Sequence, residues 1–526
     1  MIQPRQGDTA PVPERTVTQT VLGTRPRGDR PALVDATSGR TTSYADMTSA
    51  IWSAAAGLRG NGIGRGDVIG VQLPDVPELA IALQAVMAAG AVPVPIRPTT
   101  PADVMTDQLI ESGARMLITW PVLLDIALDA VKGTPVERVM CFGQEPDVEP
   151  FSALLTGDGR PVEVELDPRT DLALLPYSRG TTGPSRGIRL THRNLVASVT
   201  QFAGAGLISE ADTLLSAVPL TDVIGLTTVL LPGLQAGAMI VTRSGTGRLD
   251  LLRTLQDRAV TVVVLPPDMV EVLAYDRSVE RYNLRQLRSI ISTGGPLRPE
   301  VARACATRLR CTVRQAYGLA EAAGVTHVNL RAAEEGTLDS VGRGLPWVDW
   351  RIVDPAGGAG RIPPPGPSGP PPAQPSYQQG ELLVRGPMVT RAYADAEPLP
   401  EWVPTGDAAF ADDHGRLYIM GRMAGPGPEP PDEPEAMLET HPAVQDAAVV
   451  PIPHADLGLA PHAFAVLREP VSAADLLAYV NSHLPPYQQV QAVHVVPVIP
   501  RTPSGRILRR ALIDRAGLAD GPEATE

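Results

Sequence analysis

The sequence predicts an α/β protein. A large N-terminal part carries parallel sheets and a small β subdomain, and a small α+β domain follows at the C-terminal end. Three observations carry this expectation. Short apolar runs alternate with helical patterns from Val68 to Leu265. Hairpin-like runs replace that alternation from Trp350 to Val384. Two Pro- and Gly-rich stretches divide the second half, and a shorter α+β pattern follows the second of them.

In chain order, Val68 to Leu73 reads as a buried strand, and Val76 to Ala89 has helical spacing. Gly90-Ala91-Val92-Pro93-Val94-Pro95 then breaks the helix and starts another strand. Met116 to Thr119 is a third strand, and the pattern returns at Met239–Val241 and Val262–Leu265. The proline-rich run from Arg361 to Gln379 cannot sit inside a sheet, so it is expected as an exposed loop. A second such run, Gly425 to Pro434, follows Gly421-Arg422. Beyond it come a helix over Glu435–Thr440, a strand over Ala447–Pro451, a helix over Ala473–Leu484 and a strand over Ala492–Val498. The domain boundary is placed near Arg422, giving domains 1–421 and 422–526.

A chain of 526 residues is too long for one compact core. Hydrophobic residues at 43% and charged residues at 20% are globular proportions, which excludes disorder. The net charge of -13 argues against a nucleic-acid partner. Cys141, Cys305 and Cys311 show no metal spacing, and their odd number fits a reducing cytoplasm. The first residues lack an apolar signal core. The most apolar stretch, Leu214 to Val241, contains Pro219, Asp222 and Pro232, so it is expected as a buried helix and strand and not as a membrane span.

Five blocks carry candidate chemistry. The first is Tyr177-Ser178-Arg179-Gly180-Thr181-Thr182-Gly183-Pro184-Ser185-Arg186-Gly187, a glycine- and hydroxyl-rich loop able to wrap a polyphosphate with backbone N–H groups. Alone it is a weak signal, since such loops are more often ordinary turns and the lysine of a P-loop is absent. The others are Tyr317-Gly318-Leu319-Ala320-Glu321, Thr405-Gly406-Asp407, Gly421-Arg422, and the run from Pro500 to Arg510 that contains Ser504-Gly505-Arg506. In this order and at these distances they resemble the adenylate-forming ANL superfamily, of the acyl-CoA synthetase kind. The resemblance covers nearly the whole chain. Supporting stretches include Ser340-Val341-Gly342 and Gly380 to Pro387.

That resemblance implies a nucleotide-binding N-terminal domain and a C-terminal lid. It implies that Asp407 accepts hydrogen bonds from both ribose hydroxyls of AMP. Read without context, Asp407 is a turn or cap aspartate. Tyr317 would stack on adenine opposite the backbone of Gly294, Gly295 and Pro296, with Gln315 and Gly318 in the same AMP-binding set. Glu321 would hold magnesium beside the phosphates. Arg422 would reach the ribose or α-phosphate, and Arg506 would serve catalysis together with Glu321. Without context, Tyr317 is a core tyrosine and Arg422 a solvated charge. The acyl pocket would be lined by Asp222, Ile224, Gly225, Ala322, Ala323 and Gly324. It would suit a bulky, mainly apolar carboxylic acid or its adenylate. CoA and acyl-AMP are the implied substrates, with ATP and magnesium as further candidates.

The sequence departs from the family where ATP is handled. Arg179 stands where the family has a small serine, Arg186 where it has lysine, and Ala320 where a threonine contacts phosphate. Arg506 replaces the lysine that bridges carboxylate and α-phosphate, and a guanidinium is longer and bulkier than an ammonium. Ala424 takes the charged hinge position. Pro431 and Glu433 match the family's Pro-x-Glu, but the segment before them is several residues short and proline-rich. Asp222 stands where acyl-CoA ligases carry histidine and amino-acid adenylation domains carry aspartate. Three functions stay open. One is thioester formation from an adenylate supplied by a separate adenylating enzyme. The second is a complete ATP-dependent ligase using Arg506. The third is a ligase fold that only binds.

Overall fold

The computed structural model describes residues 10–23, 27–146, 148–178, 186–244, 247–331, 338–353, 380–395, 398–422, 433–454, 458–483, 490–499 and 512. The chain divides into two compact units, one of residues 2–350 and 384–403 and the other of 351–383 and 404–526.

The larger unit is organised by two parallel sheets. In the nine-stranded sheet six neighbours run parallel, in the order Thr312–Leu319, Ser289–Ser292, Val262–Leu265, Thr213–Ser216, Met239–Thr242 and Pro31–Asp35. Antiparallel strands flank them, Gly324–Val328 and Arg343–Gly344 on one side and Thr41–Ser43 on the other. Strands 262–265 and 289–292 are buried along their whole length, as expected for strands covered on both faces. One cover is formed by helices Arg248–Asp257, Pro267–Tyr275 and Pro299–Leu309. They bury Leu252, Leu255, Leu273 and Val301 against Leu215, Val263, Ile290 and Val313. Each such aliphatic side chain contributes about 1.5–3 kcal/mol on burial.

The second sheet is wholly parallel, in the order Val92–Ile96, Val68–Gln72, Met116–Thr119, Arg138–Cys141 and Glu149–Pro150. Pro93 and Pro95 lie on its edge strand, where a missing N–H is tolerated. The helix between the first two sequential strands spans Pro77–Ala88, and Pro77 at its first turn loses no intrahelical bond.

The smaller unit holds most of a four-stranded sheet, Asp349–Val353, Gly380–Arg385, Val403–Ala411 and Leu417–Arg422. Its other sheet pairs Val444–His454 with Gly458–Leu467 antiparallel and the latter with Ala492–Val495 parallel. Helices Glu433–Glu439 and Ala473–His483 cover it, burying Leu438, Leu476 and Val480 against Val444, Ala447, Val449, Ala463 and Ala465. The expected α+β pattern is present, with the first strand longer and the last shorter than their spacing suggested. The runs Arg361–Gln379 and Gly425–Pro430 lie outside the described residues. No described helix is long and apolar enough to cross a membrane.

Candidate active site

The carboxyl ends of parallel strands are where an open α/β sheet leaves a crevice for ligands. Four segments leave such ends, three of them with candidate residues. Asp222 follows strand 213–216, Pro267 follows 262–265, Gly294 follows 289–292, and Glu321 follows 312–319.

On the expected adenine side the ladder pairs Ser292 with Gln315. Gln315 is buried, and its side chain works on both sides. Its Oε1 accepts the Leu297 N–H at 3.0 Å, and its Nε2 donates to the Leu338 carbonyl at 2.7 Å. Gln315 thereby fixes the exit of the loop that displays Gly294, Gly295 and Pro296, all exposed. Gly294 has φ +88°, and a Cβ there would meet nothing within 4 Å. Tyr317 is buried, with His327 packed on its ring at 6.1 Å between centroids and Trp350 packed on His327 at 6.1 Å. Burial pushes the His327 imidazole down to about 3, so this backing is a neutral ring. At Gly318 a Cβ would lie 2.3 Å from the Gly324 carbonyl, so the strand pair needs glycine there.

Around the expected phosphates, the base of the glycine-rich loop is a closed hairpin. Ser178 N–H donates to the Arg186 carbonyl at 3.0 Å, Arg186 N–H donates to Ser178 Oγ at 3.0 Å, and Tyr177 bridges Gly187. The loop itself, with Arg179, Gly180, Thr181, Thr182, Gly183 and Ser185, lies outside the described residues. Arg186 sits over the Tyr393 ring at 3.9 Å and pairs with Asp395 at 2.7 Å. The Tyr393 hydroxyl donates to Glu321 Oε1 at 3.2 Å. Burial first, and then Glu321, push that phenol up to about 12, so it remains a donor. Nothing local marked Tyr393 in the sequence. It follows the Gly380–Pro387 block as one aromatic among small residues, and only the fold brings it to Glu321.

Glu321 stands at a short turn, Ala320–Ala322, and Ala323 after it takes the left-handed conformation at φ 50°. A single half-buried carboxylate suits magnesium, which keeps several waters and takes phosphate oxygens as its other ligands. Glu321 therefore fits the ion that the family implies. Among the described residues no three acidic, His or Cys side chains form a metal cluster.

On the expected acyl side a helix runs from Val223 to Ala236 with a π turn at Leu226–Leu230. The cause is local. Pro232 has no N–H to donate, Thr227 and Thr228 hydroxyls bond back to the Val223 and Ile224 carbonyls at 2.7 and 2.6 Å, and Leu231 N–H reaches Leu226. Asp222 begins this helix and pairs with Arg97 through Nε at 3.1 Å and through Nη2. Asp75 accepts the Leu220 N–H at 3.0 Å. Burial pushes the Asp75 carboxyl up to about 7; that backbone bond opposes the shift and Asp222 adds to it. Ile224 is half-buried and Ala322 fully buried. Gly225 and Gly324 fill packing roles: a Cβ at Gly225 would lie 2.3 Å from the Pro219 carbonyl, and one at Gly324 2.0 Å from Thr227 Oγ1.

In the smaller unit, Thr405 Oγ1 donates to the Leu382 carbonyl at 2.8 Å and accepts the Asp407 N–H at 3.1 Å. Gly406 turns the chain with φ +69° and donates to Glu381 at 3.3 Å. Asp407 is buried and stands opposite Arg422 across the antiparallel ladder. The sheet thus sets the Thr-Gly-Asp and Gly-Arg blocks side by side in the backbone. The Arg422 side chain, Ala424, Pro431 and the Pro500–Arg510 run with Arg506 lie outside the described residues.

The sequence matches AMP-binding enzyme over residues 22–394 and the AMP-binding enzyme C-terminal domain over 433–506. The chain belongs to the AMP-binding enzyme family. Within the adenylate-forming superfamily it is of the acyl-CoA ligase type. A 4-coumarate–CoA ligase 5 of Oryza sativa subsp. japonica is 31% identical over 518 residues, covering 94% of this chain and 93% of the relative. A benzoate CoA ligase from Burkholderia xenovorans LB400 shares the fold at TM-score 0.74, 24% identity and coverage of 95% and 99%. An anthranilate CoA ligase solved with anthranoyl-AMP does so at TM-score 0.76, 22% identity and coverage of 97% and 98%. The AMP-binding family segment includes both parallel sheets, with Asp222, Gly294, Gln315, Tyr317 and Glu321.

Proposed function

We propose that this family member binds an acyl-adenylate and transfers its acyl group to CoA, with weak or absent ATP-dependent adenylation. In that reaction the CoA sulfur attacks the acyl carbon, the bond to AMP breaks, and the thiol proton is lost to solvent or base. The acid is bulky and largely apolar; the names of the relatives, 4-coumarate– and benzoate–CoA ligases, support this class. Asp407, Arg422, Tyr317, Gly318, Gln315 and the Gly294–Pro296 backbone hold AMP. Ser178, the following loop and Arg186 face the phosphates, and Arg506 and Glu321 serve catalysis. When magnesium is bound, Glu321 holds it and the ion neutralises phosphate charge. Arg422 is the hinge, with domains 1–421 and 422–526, and the C-terminal domain is the lid. We place the protein in the cytoplasm.

The observation that carries the proposal is the state of Arg186. The cation at the base of the phosphate loop is already engaged by Asp395 and the Tyr393 ring. A triphosphate has to compete with both partners for it. An adenylate asks less of this corner, because its β- and γ-phosphates are gone and AMP is the leaving group. The substitutions Arg179, Ala320 and Arg506 fall on the same half-reaction.

One tube receives ATP and acid, another a preformed acyl-adenylate, each with CoA. Thioester is expected only in the second, with the adenylate in a cell supplied by another enzyme. Acid-dependent exchange of labelled pyrophosphate into ATP would instead establish a complete ligase. Silence in both tubes, across several adenylates, would leave a binding protein. Asp407→Ala is expected to weaken a non-hydrolysable adenylate analogue by about 2–4 kcal/mol in calorimetry while leaving the melting curve in place.

A further inference from the structure

Arg97 and Asp75 leave the carboxyl ends of two adjacent parallel strands, which the ladder aligns at Gln72 and Ile96. Asp222 leaves the end of a strand in the other parallel sheet. The Arg97–Asp222 contact therefore ties the carboxyl ends of both sheets, at the head of the acyl-side helix. Arg97 brings Nε, at 3.1 Å, and Nη2 to the same oxygen, Asp222 Oδ1. The Asp222 side chain is only 12% exposed and Arg97 35%, so water screens the pair incompletely.

An isolated carboxylate here would attract an ammonium group on the acyl moiety. A guanidinium on that carboxylate cancels the attraction and adds repulsion, because an ammonium would have to enter beside a fixed cation. Among the described residues, the nearby charges have engagements of their own. Arg243 is turned toward Asp250 Oδ2 at 3.1 Å and the Gly247 carbonyl at 3.4 Å. Asp75 is held on the Leu220 N–H, and its raised carboxyl carries a proton for much of the time near neutral pH.

We propose that Arg97 determines acyl specificity by neutralising Asp222, so that the site accepts acids without an amine and rejects those that carry one. The inference rests on the adenylate-site proposal above. Removing Arg97 takes the fixed cation away from Asp222, so an ammonium entering beside that carboxylate is no longer repelled.

The test uses two sulfamoyl-adenosine probes, one 3-phenylpropanoyl and one phenylalanyl, which differ only in the α-amine. Wild type is expected to prefer the neutral probe by about 100-fold, the upper range of one charge-assisted contact. Arg97→Met narrows the ratio by about tenfold or more, whereas Arg97→Lys keeps it within about threefold. Asp222→Asn, which leaves the guanidinium alone, widens it. This variant reports independently if Arg97→Met folds poorly. A ratio unchanged in both Arg97→Met and Asp222→Asn, with the neutral probe still bound, overturns the role of Arg97 alone. Failure of wild type to bind either probe overturns the adenylate site and this inference with it.

Discussion

On the proposed acyl side of the crevice a Cβ at Gly324 would lie 2.0 Å from Thr227 Oγ1, whereas on the proposed adenine side a Cβ at Gly294 would meet nothing within 4 Å. Both residues have positive φ, and both belong to segments at the carboxyl ends of the sheet. One glycine lets a helix press onto a strand; the other leaves open space. The acyl side is also charged, with Arg97, Asp222 and Asp75 at its head. The adenine side is neutral and held by amide bonds and rings. Identical residue types thus serve packing in one half and access in the other, and substitution should separate them.

The largest effect is expected at Gly324→Ala. Overpacking costs about 1–3 kcal/mol and the left-handed strain a further 1–3, so the larger unit should lose about 4 kcal/mol. Thr227→Ala in the same chain should recover the packing share and not the strain. A melting curve like wild type for Gly324→Ala would erase the contrast with Gly294.

Next in size is a pH effect on the charged side. The folded Asp75 carboxyl stands near 7, well above the ordinary carboxylate value of 3.8. The native state therefore keeps a proton that the unfolded chain releases as pH rises from about 4 to 7. Stability from this group is full below that window and is lost as pH climbs through the folded value. Asp75→Asn cannot titrate, yet can still accept the Leu220 N–H. Relative to wild type it should gain about 2–4 kcal/mol between pH 5 and pH 8, measured by denaturant melts at both. Parallel pH profiles for variant and wild type would mean that the Leu220 N–H and Arg243, which favour the carboxylate, cancel burial and Asp222, which disfavour it.

Much of this contrast was legible in the sequence, and the rest had a physical reason to be hidden. Strands such as Val262–Leu265 declare themselves because burial on both faces leaves no polar residue in them. Tyr317, Glu321 and Asp407 were legible only as members of an ordered set of blocks. The helix from Val223 to Ala236 was hard to delimit, since Asp222 and Pro232 interrupt its period and a π turn shifts its register. Gly225 and Gly324 read as small lining residues, yet distances give them tight backbone and side-chain neighbours. Arg97 could not be paired with Asp222 across 125 positions of sequence. Topology sets such contacts, and no local spacing encodes them.

A third, smaller effect belongs to the adenine side. Gln315→Leu strands the buried Leu297 N–H and removes the donor to Leu338, which should cost about 2–3 kcal/mol. It should also weaken an adenylate analogue, because the Gly294–Pro296 loop loses its fixed exit. Gln315→Glu keeps the acceptor for Leu297 and should hold affinity better than leucine does. Equal affinity in all three proteins would confine Gln315 to stability.

The smallest effect on folding, and the sharpest on access, is expected at Gly294. Alanine there suffers only the left-handed strain, about 1–2 kcal/mol, because its Cβ points into open space. For a unit of this size that is a fall of about 1–3 °C in melting temperature. The same Cβ occupies the space in which the proposal lays the adenine against Tyr317. A methyl group on the face of a stacked ring forces the base away from its platform, so affinity for an adenylate analogue should fall further than stability does. Gly295→Ala is the internal control. It lacks positive φ, and its Cβ would rest 3.5 Å from Pro267 Cγ, ordinary contact distance. That variant should melt with wild type, and any loss of affinity then reports occupancy of the loop face alone. If Gly294→Ala binds the analogue as wild type does, the adenine does not lie over this glycine, and the open space serves some other part of the ligand.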